Sequence, residues 1–341
     1  MKFSKMILLL MVALSFAACK NDTIENNIAD NSELLQEVKN NLNGYKIAYS
    51  TESNIMMMDV DGTNVEELAD AAPISGYISW SIDAQFVYYA SAKGPSETAW
   101  EAWRVNTQTK ETTQLSDFGR DVRSLGVSPD NKYLAISLMT GNSNIGNNND
   151  NLTQFNTDMF IVEMERVEQI LSSGSKLKTS DLTTLVSSPP SDQFWYEELN
   201  WNPIVPLDGV PVLTYTKTWR YDEDEVSYTH AYTIKADGTE SQLIAENQDM
   251  PIWNFEGTKI SFLALGVYDL MTESIQQLQV SGISREVSGA TISPDGKYIL
   301  FEVGDENRQG GIARYNSDSS NMGEVLQANN VYEPRWSPIE L

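Results

Sequence analysis

The chain has 341 residues, of which 41% are hydrophobic and 10% aromatic, enough to bury a substantial core and too much for a disordered chain. Acidic residues outnumber basic ones, 48 Asp and Glu against 23 Lys and Arg, which argues against nucleic acid or an anionic lipid surface as the partner, since both need a cationic footprint. A single cysteine rules out an internal disulfide framework, so packing must carry the stability.

Lys2 and Lys5 precede an apolar run from Met6 to Ala18. It is too short and too briefly flanked for a stable membrane-spanning helix and has the layout of a secretory signal over residues 1–18. The run ends Ser15-Phe16-Ala17-Ala18-Cys19. Small residues before a cysteine resemble the lipobox of bacterial lipoproteins, in which cleavage leaves the cysteine as the lipidated N-terminus. That resemblance implies lipidation of Cys19 and attachment through it to the bacterial outer membrane, periplasmic or surface-exposed. Asp22 and Glu25, soon after the cysteine, are similar to the surface-export signal of Bacteroidetes lipoproteins. Residues 19–43 are polar apart from Leu34, Leu35 and Val38, and read as a flexible tether with at most a turn or two of helix.

From Lys46 onward the pattern is strand, strand, turn, strand. Lys46-Ile47-Ala48-Tyr49-Ser50 alternates, Asn54 to Asp59 is a second apolar run, and Asp61-Gly62 turns the chain into Val65 to Leu68, a strong hairpin signal. The clearest unit comes late: Ala290 and Ile292 alternate with polar residues, Ser293-Pro294-Asp295-Gly296 supplies a tight turn, and Ile299, Phe301 and Val303 share a face beyond it. Looser copies recur along the chain. With the strands of a unit lettered A to D, A strands centre on Trp80, Val127, Trp201, Trp253, Ile292 and Trp336, and the gap between Val127 and Trp201 marks an insertion. Units of roughly 40 to 50 residues with four short strands are the signature of a propeller blade. After its tether the chain begins with strands B, C and D and stops at Trp336-Ser337-Pro338, an A strand with no B to follow. The expected fold is therefore all-β, a six-bladed β-propeller over residues 44–341 whose open blade is completed when the C-terminal A strand pairs with the N-terminal B, C and D strands, removing exposed sheet edges.

These residues resemble the TolB-like six-bladed propellers built from WD40-like (PD40) repeats. Ser128-Pro129-Asp130-Asn131-Lys132-Tyr133 and Ser293-Pro294-Asp295-Gly296-Lys297-Tyr298 match the repeat motif, and Met57 to Asn64 matches the C-to-D hairpin. TolB itself carries an additional N-terminal α/β domain, for which the stretch between Cys19 and Gly44 has no room, so the resemblance does not bring over TolB's role in the Tol-Pal envelope system.

In a propeller the B-to-C and D-to-A loops open on one face and the A-to-B and C-to-D turns on the other. The long connections here, 92–99, 141–156, 217–227 and 304–310 between B and C, and 116–124 and 187–198 between D and A, fall on the first face. Long loops on a rigid scaffold carry binding residues. A ligand site is therefore expected there around Trp100, Trp103, Arg120, Arg123, Trp195, Tyr196, Trp219, Arg220 and Tyr221, aromatics beside planar donors that suit a glycan, peptide or envelope protein. The competing reading is that these rings fill gaps between blades, as Trp80, Trp201, Trp253 and Trp336 do at their common repeat position. The segment 165–179 is an insertion on the opposite face that reads as a short helix.

His230, the only histidine, lies on an expected C strand, and no Gly-x-Ser-x-Gly elbow accompanies it. Prolyl-peptidase relatives are resembled only in their propeller half, and the histidine-rich metal centre of oligogalacturonate lyases has no counterpart. Catalytic residues, metal and cofactor are accordingly expected to be absent, with Asp222 and Asp224 as a weak Ca²⁺ candidate and a carboxylate-dependent glycan hydrolase or lyase as the alternative. Asp61, Asp130, Asp237 and Asp295 fall in turns where Asp bonds its own backbone.

Overall fold

In the computed structural model the described residues are 33–71, 74–92, 99–140, 156–189, 193–220, 227–283, 286–304, 308–315 and 321–341. They form six antiparallel sheets, each running from an inner A strand to an outer D strand. Blade two starts with Ile74–Trp80, blade three with Val122–Val127, blade four with Gln193–Trp201, blade five with Ile252–Trp253 and blade six with Val287–Ile292. These A strands centre where the repeat places them. Blade six has a fifth strand, Val280–Ser281, laid parallel along the outer edge of Asn321–Asn329.

Blade one is built from both ends of the described chain. The C-terminal strand Tyr332–Trp336 pairs antiparallel with Lys46–Ser50, matching Ile47 with Trp336 and Ala48 with Arg335, and the sheet continues through Asn54–Asp59 to Glu66–Asp70. The turn chemistry is split across the same seam. In blades two, three and six the Ser of the turn donates its N–H to the carbonyl of the first residue of strand B and accepts that residue's N–H with its hydroxyl: Phe86 N–H to Ser81 Oγ at 2.9 Å, Tyr133 to Ser128 at 3.0 Å, Tyr298 to Ser293 at 3.0 Å. Blade one repeats this between Lys46 N–H and Ser337 Oγ at 2.9 Å, with Ser337 N–H donating to Lys46 O at 2.8 Å. The turn has been cut open and its halves still bond as one.

The Asp residues of these turns serve the backbone. Ser81, Ser128 and Ser293 hydroxyls donate to Asp83, Asp130 and Asp295 at 2.6, 2.7 and 2.7 Å, and Asp61 and Asp237 each accept from a threonine two residues on.

The core lies between blades rather than in one central body. Leu125, Leu134, Ile136 and Val162 fill one interblade layer with Tyr88, and Ile299, Phe301 and Val303 fill another with Val267. The insertion in blade three forms the helix α2 (Met164–Ser172), whose Met164, Val167 and Ile170 face the first of these layers.

One expectation needs correction. The tether does not run to residue 43, because Glu33–Asn41 forms a docked helix, α1, and Glu33 to Leu341 makes one compact unit. Leu34, Val38 and Leu42 fall on one helical face and bury against Tyr298, Leu300, Ile312 and Trp336. Polar bonds flank that contact: the Tyr298 hydroxyl accepts from Asn41 Nδ2 at 2.6 Å and donates to Glu37 Oε1 at 2.8 Å, Arg314 Nε donates to Glu37 Oε2 at 3.1 Å, and Lys39 meets Asp61 at 2.6 Å. Arg314 and Tyr298 belong to blade six and Asp61 to blade one, so α1 clamps the seam where the ring closes. Val38→Ala is expected to lower stability by about 2 kcal/mol in urea unfolding, whereas Gln36→Ala, exposed on the other face, changes it little. A flexible tether would make the two variants alike.

Candidate functional site

The six A strands stand around the axis, and each repeat position forms a layer. The outermost layer towards the A-to-B turns holds Trp80, Val127, Trp201, Trp253, Ile292 and Trp336. Three of these indoles bridge to the neighbouring blade: Trp80 Nε1 donates to Arg335 O at 3.2 Å, Trp201 to Gly126 O at 2.8 Å and Trp336 to Thr291 O at 3.2 Å. Gly126 permits this approach, since a Cβ there would sit 3.3 Å from Ser79 Oγ and 3.4 Å from the Trp201 ring. The tryptophans are interblade packing, as their common position implies, and they also wall a cavity of about 110 Å³ at the A-to-B mouth, with Ile82, Pro129, Pro203, Phe255 and Pro338 at its rim. Replacing Trp201 by Phe is expected to cost about 2 kcal/mol beyond Trp253→Phe, because only the former strands a bonded carbonyl; paired urea melts test this.

Three residues earlier on each A strand the layer reads Tyr77, Ser124, Glu198, Met250, Gly289 and Glu333. Pairing to strand B is interrupted by a bulge at or beside this point in blades one, two, three, four and six. Glu198, Met250, Gly289 and Glu333 take φ of 60°, 50°, 61° and 49°, where only Gly289 is unstrained. Tyr77, Ser124, Glu198 and Met250 line a smaller cavity deeper in the channel together with Arg335.

Glu198 is saturated with donors: the Tyr77 hydroxyl at 2.8 Å, the Thr216 hydroxyl and the Met250 N–H. Burial nevertheless outweighs these bonds and pushes its carboxyl up to about 7. Glu333 is pushed up to about 8, by burial first, against the pull of Arg335 at 3.4 Å and with Glu302 and Glu198 adding to the push. Glu302 accepts from the Glu333 N–H at 2.7 Å and from Arg308 at 2.6 Å. Burial also raises Asp249, and with the Glu198 charge it raises Tyr77 well above the usual phenol value.

The residues singled out from sequence do not form one constellation. Arg123 meets one of the others, Trp100, whose ring centroid lies 5.3 Å from its guanidinium, and its Nε donates to Glu197 at 3.0 Å, joining blades two, three and four. Arg120 is exposed and donates to Thr140 O at 3.3 Å. Trp103 packs between blades one and two. The segments 187–198 and 217–227 are less loop than expected, because the strands of blade four run on through them as Gln193–Trp201, Val212–Arg220 and Ser227–Lys235. Phe194, Trp219 and Tyr228 pair in line and share a face with Tyr196, Lys217 and His230, whereas Trp195 pairs with Thr218 on the opposite face. On the first face Trp219 stacks on Tyr228 at 5.6 Å and meets the His230 ring edge-on at 4.6 Å, and the Lys217 ammonium sits 4.9 Å from Phe194 and 5.5 Å from Trp219. Burial there pulls the Lys217 amine below its usual value. Arg220 ends its strand opposite Gln193. Cys19, Tyr221, Asp222 and Asp224 lie outside the described residues. Among the described residues no three His, Cys, Asp or Glu side chains converge as metal ligands. Glu198, Glu333 and Arg335 were missed, although aligning the repeats on their tryptophans would have placed both carboxyls at one position.

An all-β ring of six blades closed by its own C-terminal strand, around a channel walled by tryptophans, defines a six-bladed β-propeller with the TolB-like fold. Solved structures share this fold. TolB from Acinetobacter baumannii matches with a TM-score of 0.59 at 15% identity, over 86% of this chain and 66% of that one. A protein of Agrobacterium tumefaciens assigned to TolB matches at 0.54 and 13% identity, over 81% and 89%. A chain of a nidogen/laminin complex matches at 0.58 and 11% identity, over 86% and 98%. The chain thus spans just under two thirds of the Acinetobacter protein's length. No family model and no curated protein matches the sequence.

Proposed function

We propose that the chain is a lipid-anchored, non-catalytic propeller of the bacterial envelope that holds a segment of a partner protein at the A-to-B mouth of its channel. The observation that carries this reading is the cavity of about 110 Å³ at that mouth, walled by tryptophans and prolines. The envelope address rests on Ser15 to Cys19. The shared fold with a chain of a nidogen/laminin complex is in keeping with a protein-binding use.

The alternative, a carboxylate-dependent glycan hydrolase or lyase, is favoured by one observation: Glu198 and Glu333 stand in the channel with carboxyls raised to about 7 and about 8, the range of a general acid. Against it, both oxygens of Glu198 are already occupied by protein donors.

The two separate in one experiment. The soluble form, incubated with a panel of envelope peptides and glycans, is expected to bind a peptide saturably without turnover, and Ile82→Arg at the rim is expected to abolish binding. Turnover lost on Glu333→Gln would overturn the proposal in favour of the enzyme. Binding lost on Trp219→Ala or Trp195→Ala, with Ile82→Arg silent, would move the site to the B-to-C face. The anchor has its own check: Cys19→Ser should free the protein from membranes, and unchanged association would contradict lipidation.

A further inference from the structure

In a chain with 48 acidic and 23 basic residues, a lysine finds a carboxylate easily. Of the ten lysines among the described residues, eight pair with one and Lys176 donates to Gln114. Among them only Lys217 has neither a carboxylate nor a hydrogen bond. Its half-buried ammonium lies instead among the rings of Phe194, Trp219 and Tyr232, 4.9, 5.5 and 5.9 Å from their centroids. Directly opposite Lys217 on the next strand, and on the same face, stands His230, the one histidine of the chain. Its Nδ1 lies 3.1 Å from the Asn247 N–H and 2.8 Å from the Thr229 carbonyl. A neutral ring that accepts from Asn247 carries its proton on Nε2, and a charged ring carries one there as well. Nε2 has no bond of its own among the described residues. Both side chains touch Trp219, which meets the imidazole edge-on at 4.6 Å and stacks on Tyr228 at 5.6 Å. Residues opposite each other in an antiparallel pair have Cβ atoms about 5 Å apart, so two open N–H donors, one of them charged, share one aromatic patch of blade four. Glu246, across from His230 on the outer strand, is exposed and among the described residues pairs with neither.

We propose that Lys217 and His230 bind the carboxylate of an acid whose aromatic body rests against Trp219 and Tyr232. This is a second site, which shares no residue with the A-to-B mouth and does not depend on the reading given above. The open groups decide the ligand class. Both nitrogens donate and neither accepts, which suits a group that only accepts, and an ionised carboxylate does so through two oxygens. A neutral saccharide brings hydroxyls that need acceptors as well, and here they would find few. The half-buried rings of Trp219 and Tyr232 favour a flat apolar body over a hydrated one. A bound anion would also relieve an existing cost: burial without a counter-charge holds the Lys217 amine below its usual value, and a carboxylate beside it would bring that value back up. Two sources present this chemistry, a free aromatic acid and the C-terminal carboxylate of a peptide ending in an aromatic residue.

The test uses the soluble form labelled with ¹⁵N-histidine, in which a single imidazole gives every ring signal. The probes are phenylacetate, N-acetyl-phenylalanine, the neutral amide of the latter, and glucuronate. The Nε2 signal of His230 should move to saturation with at least one of the two aromatic acids. The amide, which lacks the charge, and glucuronate, which lacks the apolar body, should each bind about tenfold more weakly or worse. Lys217→Met should weaken the acid about tenfold or more without lowering the melting temperature, and Trp219→Leu should weaken it about fivefold. Tighter binding of phenylacetate would support the site and point to a free acid; tighter binding of N-acetyl-phenylalanine would support it and point to a peptide end. A His230 signal unmoved by both acids, equal affinity for the amide, or full affinity in Lys217→Met would overturn the site, and glucuronate bound as tightly as the aromatic acids would overturn the assignment of its body. Any of these results leaves the peptide test at the A-to-B mouth standing on its own.

Discussion

A chain lacking residues 332–341 is expected to lose cooperative folding, or at least to melt far below the full-length protein. The deletion removes the A strand of blade one and leaves Lys46–Ser50, whose Ile47, Ala48 and Tyr49 are buried, as an open inner edge. It also removes the Trp336 side chain, 3% exposed, whose loss alone is worth about 3–5 kcal/mol. Two further losses follow at a distance. Trp80 forfeits the Arg335 carbonyl that its indole bonds, and Lys46 forfeits the Ser337 cap. α1 would sit on a seam with one side missing, since Trp336 is part of its apolar bed. A drop of this size exceeds half the stability of an ordinary domain, so circular dichroism melts of the truncated and full-length proteins should differ by more than 10 °C, at roughly 2–4 °C per kcal/mol. The point variant Trp336→Ala gives a milder version that should still fold.

Stability is expected to fall as pH rises from 5 to 8, by an amount on the order of 6 kcal/mol. Glu198 and Glu333 have folded-state values of about 7 and about 8 against an ordinary 4.5. Below 4.5 both groups are protonated in either state and nothing is lost. Between 4.5 and about 8 the unfolded chain sheds these protons while the folded chain keeps them, so the unfolded state binds fewer protons and stability declines with pH, by up to about 1.4 kcal/mol per unit for each group. Above 8 the full cost is present. Carboxylates with the opposite sign, such as Glu37 beside Arg314 and Asp61 beside Lys39, are held below their ordinary values and weaken the fold only when the pH drops under about 4. Urea unfolding at pH 5, 6, 7 and 8 should give a falling series, and Glu333→Gln should flatten it. A level series in the parent protein would mean that the channel is wetter than its lining indicates.

Much of the scaffold could be read from the chain because each part is local chemistry. Pro-Asp-Gly turns, alternating strands and a recurrent tryptophan set the blade count, and the incomplete repeats at the two ends of the propeller set the closure. The docking of α1 could not be read, because Leu34, Leu35 and Val38 announce an apolar face without naming what covers it. Blade four was misjudged for a different reason. Thr214-Tyr215-Thr216-Lys217-Thr218-Trp219 keeps strand alternation well past the usual length, and had that been followed, parity would have put Trp195 and Trp219 on opposite faces. The channel carboxyls were hidden by the bulges. A bulge breaks the period of two, so alternation cannot tell which of Glu197 and Glu198 turns inward; Glu197 meets Arg123, and Glu198 meets Tyr77.

The closed ring is tested most directly by native-state hydrogen exchange across the seam. Amides of Tyr332–Trp336 and Lys46–Ser50 that bond across it should exchange together, as slowly as those of the buried strand Tyr133–Met139 in blade three and through the same global opening. Exchange of the C-terminal strand at the rate of a frayed end, while the other blades remain protected, would contradict the closure on which the channel and its mouth depend.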